Sequence, residues 1–297
     1  MEKLKLPTYG GQAVIEGVMM RGRQSLAIAM RAPDQGIVIH TENLSHFYQS
    51  HWLKVPFVRG MIMLWDALGL GIRALTLSAN TQSGENNKIE GPALFGTLFI
   101  SLAFAIGLFF LAPAVLGHLT ENLFTSSSRA AWIGNLVEGL IRLAILIGYI
   151  WFIGRITDIQ RVFAYHGAEH KTINAFEAGA ELSPASVARF SLEHPRCGTA
   201  FLLSLVVISV LVFALLGPMP VYWRLVSRVL LIPVLAGIAY EYIRWTANHS
   251  DLKLVRWMIK PNLALQRMTT REPSYEMLEV SIAAFKAMRT GEIELTS

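Results

Sequence analysis

His166, Glu169 and His170 are the residues of this 297-residue chain whose types and spacing best suit chemistry. On a helix the two histidines stand one turn apart on one face. That spacing lets two imidazoles meet one divalent ion, as in zinc sites. The order His-x-x-Glu-His matches the inverted zinc-protease motif, whose glutamate acts as general base. A second arm, His194-Pro195-Arg196-Cys197-Gly198, brings another histidine and the chain's one cysteine. Cys197 precedes an apolar segment, and a helix start there favours its thiolate. His194 and Cys197 then complete a mixed His/Cys metal set with room for a water. Glu177 lies on the His166 face but about 16 Å further along the helix. It joins the ligands only if the helix breaks at Ala178-Gly179-Ala180. Lys171 and Arg196 suit an anionic group of a substrate. Glu241, His249 and Asp251, near the end of the last apolar segment, are outer partners or alternative ligands. Each also has a plain structural reading: the histidines as polar contacts at head-group level, and Cys197 as a small packing residue.

The elements that must position these residues are mostly membrane helices. The chain is 53% hydrophobic and 16% charged, against about 25% charged in soluble domains. Residues 93–120 contain no Asp, Glu, Lys or Arg, and about 20 apolar residues cross a bilayer. Residues 130–154, 198–217 and 225–242 are three further spans, the last bent at Pro233. Residues 155–179 are expected to continue the second span as one helix. Glu138 and Arg142, four apart inside that span, are an intramembrane pair. Such residues are functional candidates by default, or a self-neutralised clamp.

Arg59, Asp66 and Arg73 recur every seven residues in 56–78 and share one helical stripe. Spanning would bury all three, at roughly 2.5–3.5 kcal/mol each. An interfacial helix, or one whose stripe is paired with protein, avoids that cost, so a non-spanning helix is favoured. Residues 80–92 read as a linker. The N-terminus reads as a small β-rich unit with apolar runs at 12–20, 25–32 and 36–42. Pro33-Asp34-Gln35-Gly36 makes a turn in which Gly36 accepts the positive φ. Gly10, Gly11 and Gly17 permit close backbone approach to a phosphate, but no strand–GxGxxG–helix pattern accompanies them. Residues 274–289 form an amphipathic helix stopped by Gly291 and packed on the β unit. The resulting units are 1–55, 56–92, 93–244 and 245–297.

Of the 26 Lys and Arg, nine precede residue 93, five lie in 155–196 and eight follow residue 243. The positive-inside rule then places both termini and the 155–197 loop in the cytoplasm. One cysteine excludes an intrachain disulfide. No basic stripe interleaved with aromatics points to nucleic acid. The N-terminus lacks an apolar h-region, so no cleavable signal peptide is expected.

Four separated motifs, GGQAVIEGVMMRG at 10–22, YHGAEHKTINAFEAG at 165–179, HPRCGT at 194–199 and LQRMTTREP at 265–273, resemble the YqhQ-like family of bacterial membrane proteins. That family is a domain of unknown function labelled a predicted metal-dependent enzyme. The resemblance implies a multi-pass protein of the bacterial cytoplasmic membrane. The residues and the resemblance lead to one expectation. The chain is a mainly α, polytopic membrane protein with about four transmembrane helices and an interfacial helix. A divalent metal, zinc by its ligand types, serves hydrolysis of a lipid or membrane peptide at the cytoplasmic face, with Glu169 as base. The alternative is a non-catalytic scaffold, assembly factor or carrier with a structural or sensory His/Cys site.

Overall fold

The N-terminal apolar alternation builds a four-stranded antiparallel sheet: β1 (Gly10–Val14), β2 (Gly17–Arg21), β3 (Ser25–Arg31) and β4 (Ile37–Asn43), paired in that order. The computed structural model describes residues 9–44, 55–83, 91–123, 128–216, 219–249 and 251–294. The run 12–20 is a hairpin rather than one strand, with Glu16 at φ 53° in its turn. That conformation costs a non-glycine residue roughly 1–2 kcal/mol. The Glu16 carboxylate is held by the Arg161 guanidinium at 2.6 Å and the Tyr165 hydroxyl at 3.3 Å. In the β3–β4 turn Gln35, not Gly36, takes the positive φ of 69°. The Gly36 N–H donates instead to Asp34 Oδ1 at 3.0 Å, which closes the turn.

The strand alternation gives the sheet two apolar faces. Val14, Met19, Leu26, Ile28 and Met30 meet Leu70 and Ala74 of helix α1 (Val58–Ser83). Val18, Met20, Ala27 and Ala29 meet α5 (Thr157–Glu177) and α11 (Tyr275–Glu294). Helix α11 does pack on the sheet, but it runs through Gly291. The missing side chain there lets the helix abut Ser25, and Glu292 Oε1 then accepts the Ser25 N–H at 2.9 Å.

The membrane layer follows. Helix α2 (Gly91–Ile106), a π-helical turn (Gly107–Leu111) and α3 (Ala112–Leu123) form one apolar rod. Helix α4 (Ser128–Ile153) packs against α3, and the shorter apolar helix α7 (Thr199–Leu215) packs against α4. A pair bent by 48°, α8 (Val221–Leu230) and α9 (Ile232–Asn248), completes the layer, with the break just before Pro233. The short α6 (Pro184–Val187) lies between α5 and α7, and α10 (Lys253–Thr269) follows α9. Helices α4 and α5 are not continuous: the chain turns at residues 154–156, where Arg271 donates to the Gly154 carbonyl at 2.8 Å.

Helix α1 is long and apolar enough to cross a membrane, yet its contacts leave too little of it free. Asp66 pairs with Arg21 at 2.5 Å and Arg73 with Glu42 at 2.8 Å. Ser78 Oγ accepts the Ile15 N–H at 3.2 Å, and Gln82 donates to the Arg31 carbonyl at 2.7 Å. Residues 66–82 are therefore fixed to the sheet. The preceding eight residues span about 12 Å, against a hydrocarbon core of about 30 Å. Arg59 pairs with Glu241 of α9, so all three stripe charges are matched by protein. The opposite side exposes Phe57, Met61, Trp65, Leu68 and Leu75, the signature of a helix lying in the interface. Parity agrees, because a crossing by α1 would separate the sheet from α5, which packs on β1 and β2. Accordingly, Asp34→Cys in the sheet turn and Ser83→Cys at the end of α1 should react with an impermeant maleimide from the same side of sealed vesicles. Labelling from opposite sides would mean that α1 crosses.

Candidate metal centre

Helix α5 carries the His-x-x-Glu-His residues and ends where the sequence suggested, with Gly179 at φ 70° and the Ala180 N–H donating to the Ala175 carbonyl at 2.9 Å. Two glycines let other segments close on it. A Cβ at Gly167 would lie 2.2 Å from the Arg271 carbonyl oxygen. Its absence brings the 269–271 segment against the helix, where the Arg271 N–H donates to the Phe163 carbonyl at 3.0 Å. On the other side a Cβ at Gly11 would lie 2.8 Å from Glu169 Cγ, so β1 roofs the glutamate directly. These glycines serve packing around the site; Gly17 likewise abuts Ala29 and Met30.

The two histidines are oriented from behind. His166 Nδ1–H donates to the Thr269 carbonyl at 2.9 Å, and His170 Nδ1–H to the Leu192 carbonyl at 2.6 Å. With Nδ1 used by a carbonyl, each ring presents Nε2 as the ligand atom, the arrangement that supports metal-binding imidazoles. The two Nε2 atoms and Cys197 Sγ lie within 4.8 Å of one another. His166 Nε2 is 3.2 Å from the sulfur. His170 Nε2 is buried and has no hydrogen-bond partner among the described residues. Glu169 Oε2 stands 3.9 Å from His166 Nε2 and 3.8 Å from His170 Nε2. It is therefore beside both ligand atoms without bonding either.

Burial opposes charge on Cys197, but the hydrogen bond from His166 and the nearness of both imidazoles outweigh it and hold the thiol well below its usual range. Burial likewise opposes protonation of His166, yet the facing Cys197 and then Glu169 raise it to about 9. The two shifts run in the same sense, each favouring the charged form of its partner. The thiolate is the form that ligates metal, and a metal displaces the proton of Nε2. A buried nitrogen, a converging cysteine sulfur and two carbonyl-oriented imidazoles make a donor set that fits zinc.

The other candidates fall into two groups. His194 and Glu177 stand next to the cluster, outside the three converging atoms. The His194 ring lies 5.8 Å from that of His170, and its Nε2 is 3.7 Å from Glu177 Oε2. Arg196 pairs with the same glutamate at the rim. Lys171 turns away from the cluster. It is buried, donates to the Ala188 carbonyl at 2.7 Å and pairs with Glu272 at 2.6 Å, so its ammonium fixes α6 and the 270-segment. Glu241 is taken by Arg59, His249 stacks on Trp245, and Asp251 is exposed. None of these three joins the cluster, because α9 meets α1 with the face that carries Glu241. Sequence reasoning missed Gln266, which is buried and clamps His194 by accepting its N–H at 2.9 Å and donating to its carbonyl at 3.0 Å. It also missed the roof at Gly11. Both residues lie in motifs singled out above, which was the signal available.

Glu138 and Arg142 do pair, at 2.7 Å. They belong to a larger cluster inside the membrane layer. Arg228 of α8 donates to both Glu138 oxygens, at 2.8 and 2.7 Å, and to Asn135. Arg142 also donates to Ser209 and to the Phe109 carbonyl of the π-helical turn. Phe213 lies between the two guanidiniums, 5.0 and 4.2 Å from them.

A family model described as "Protein of unknown function (DUF1385)" matches residues 55–290. The chain is 34% identical to "Uncharacterized protein YqhQ" of Bacillus subtilis (strain 168) over 304 residues, covering 97% of this chain and 94% of that protein. No solved structure matches it significantly. The family model covers the His/Cys cluster and the membrane helices, and the chain belongs to the DUF1385 family of proteins of unknown function.

Proposed function

We propose that this protein is a metal-dependent hydrolase of the bacterial cytoplasmic membrane, acting on a membrane-associated substrate at the cytoplasmic face. The observation that carries this reading is the convergence of His166 Nε2, His170 Nε2 and Cys197 Sγ beside the unbonded Glu169 carboxylate. Three protein ligands with a further position open is the composition of catalytic zinc sites. A bound divalent ion supplies Lewis acidity at that point. Glu169 Oε2 then takes a proton from water and returns it to the leaving group. Arg196, at the rim, positions an anionic group of the substrate, either a lipid head group or a membrane peptide. The Lys and Arg distribution supports cytoplasmic placement of the site and both termini.

The burial of His170 and Glu169 favours a second reading, a closed structural or sensory metal site in a non-catalytic scaffold or carrier. Both readings require the metal. Purified protein should carry about one equivalent of zinc, and zinc at 100 times its dissociation constant should stabilise the fold by about 2.7 kcal/mol. If no metal co-purifies and added zinc leaves the melting temperature unchanged, the metal-centre reading fails.

A further inference from the structure

A cavity of about 360 Å³ lies between β3, β4, α1 and the first turn of α2. The His/Cys cluster plays no part in it. Its inner wall is Leu26 and Ile28 of β3 with Leu70 and Leu77 of α1. Its mouth holds three polar groups in a row. His40 Nε2 is 3.0 Å from Glu42 Oε1, and Arg73 reaches the same oxygen at 2.8 Å. The Arg73 side chain is 65% exposed and reaches Glu42 through one nitrogen, so its guanidinium retains further donors, while His40, 47% exposed, gives its Nε2–H to Glu42.

The cavity borders the exposed apolar side of α1. Ile72 lines it and also lies on the α1 side that exposes Trp65, Leu68 and Leu75. On the far wall, Gly91 and Leu94 begin α2, a helix with no buried residue. An apolar chain leaving the cavity therefore stays in apolar surroundings along α2. The volume is at the lower end of ligand sites, roughly 300–1,000 Å³. It suits a head group and the upper part of one chain, with the remainder in the bilayer.

We infer that this cavity binds one zwitterionic, amine-bearing phospholipid of the host membrane. Its phosphate accepts hydrogen bonds from Arg73, and its ammonium donates to Glu42, which His40 holds in place. One acyl chain starts against Leu26, Leu70 and Leu77 and continues along α2. An anionic phospholipid without the amine sets a negative head group against the Glu42 carboxylate, and that repulsion provides the selectivity.

The test is native mass spectrometry of the full-length protein after equal supply of phosphatidylethanolamine and phosphatidylglycerol. Wild type should retain one phosphatidylethanolamine per chain in preference to phosphatidylglycerol. Arg73→Gln should lower that retention about tenfold, the size of one charge-assisted contact, with an unchanged melting temperature. Glu42→Gln should erase the preference between the two lipids. Leu77→Trp, which fills the cavity, should remove the retained lipid. Equal or greater retention of phosphatidylglycerol by wild type, or unchanged retention in Arg73→Gln, would overturn the assignment.

Discussion

Glu169→Gln should retain the bound metal and lose about 100- to 10,000-fold of turnover, the range for removing a positioned general base. The substitution is nearly isosteric, and the carboxylate bonds neither imidazole: it stands 3.8–3.9 Å from both Nε2 atoms. The side chain is held by packing against Gly11, so the amide occupies the same place. What it loses is the ability to accept a proton. His170→Ala should behave differently, because it removes one of three ligands and with it the metal. Complementation of a deletion strain, read alongside metal content, separates the roles. If Glu169→Gln supports full function while His170→Ala abolishes it, the site is structural and the hydrolase reading falls.

The second large effect is expected inside the membrane layer. Glu138→Ala should destabilise the protein by about 3–5 kcal/mol, the cost of stripping a buried ion pair of one partner. Glu138, Arg142 and Arg228 are each about 1% exposed, and one carboxylate serves both guanidiniums. Its removal leaves two buried cations with only neutral acceptors. Against a total stability of about 5–15 kcal/mol, that loss is severe. Arg142→Met should cost much less, since Glu138 keeps its two bonds to Arg228. Thermal unfolding in mild detergent ranks the two variants. Equal losses would mean that the carboxylate is not the centre of the cluster.

The contrast between these sites shows what was legible in the sequence. The spacing of His166 and His170 sets both on one helical face whatever surrounds them, and a second His/Cys arm at the same end of the spans could be read directly. The long apolar runs announced the membrane helices for the same reason. Glu138 and Arg142, four apart on one helix, were also local. Arg228 was not, because it stands 90 residues from Glu138 and nothing in its own apolar run tells that the fold sets it against α4. Glu241 misled for the opposite reason. Its depth along α9 suited the site, but its helical face belongs to Arg59. Lys171 shows the same limit at finer scale, since one residue past His170 is about 100° around the helix. The stripe of Arg59, Asp66 and Arg73 gave the correct geometry for α1, whereas its partners Glu241, Arg21 and Glu42 lie on three different elements. Gly11 carried no local hint of its contact with Glu169, which exists only once the sheet covers α5.

The central claim is that His166, His170 and Cys197 hold one metal ion together. X-ray absorption spectroscopy of the zinc-loaded protein tests it most directly. The account predicts one sulfur at about 2.3 Å and at least two nitrogens at about 2.0–2.1 Å, with the sulfur shell lost in Cys197→Ser. A shell of only nitrogen and oxygen in the wild type, or a sulfur shell that survives Cys197→Ser, would contradict it.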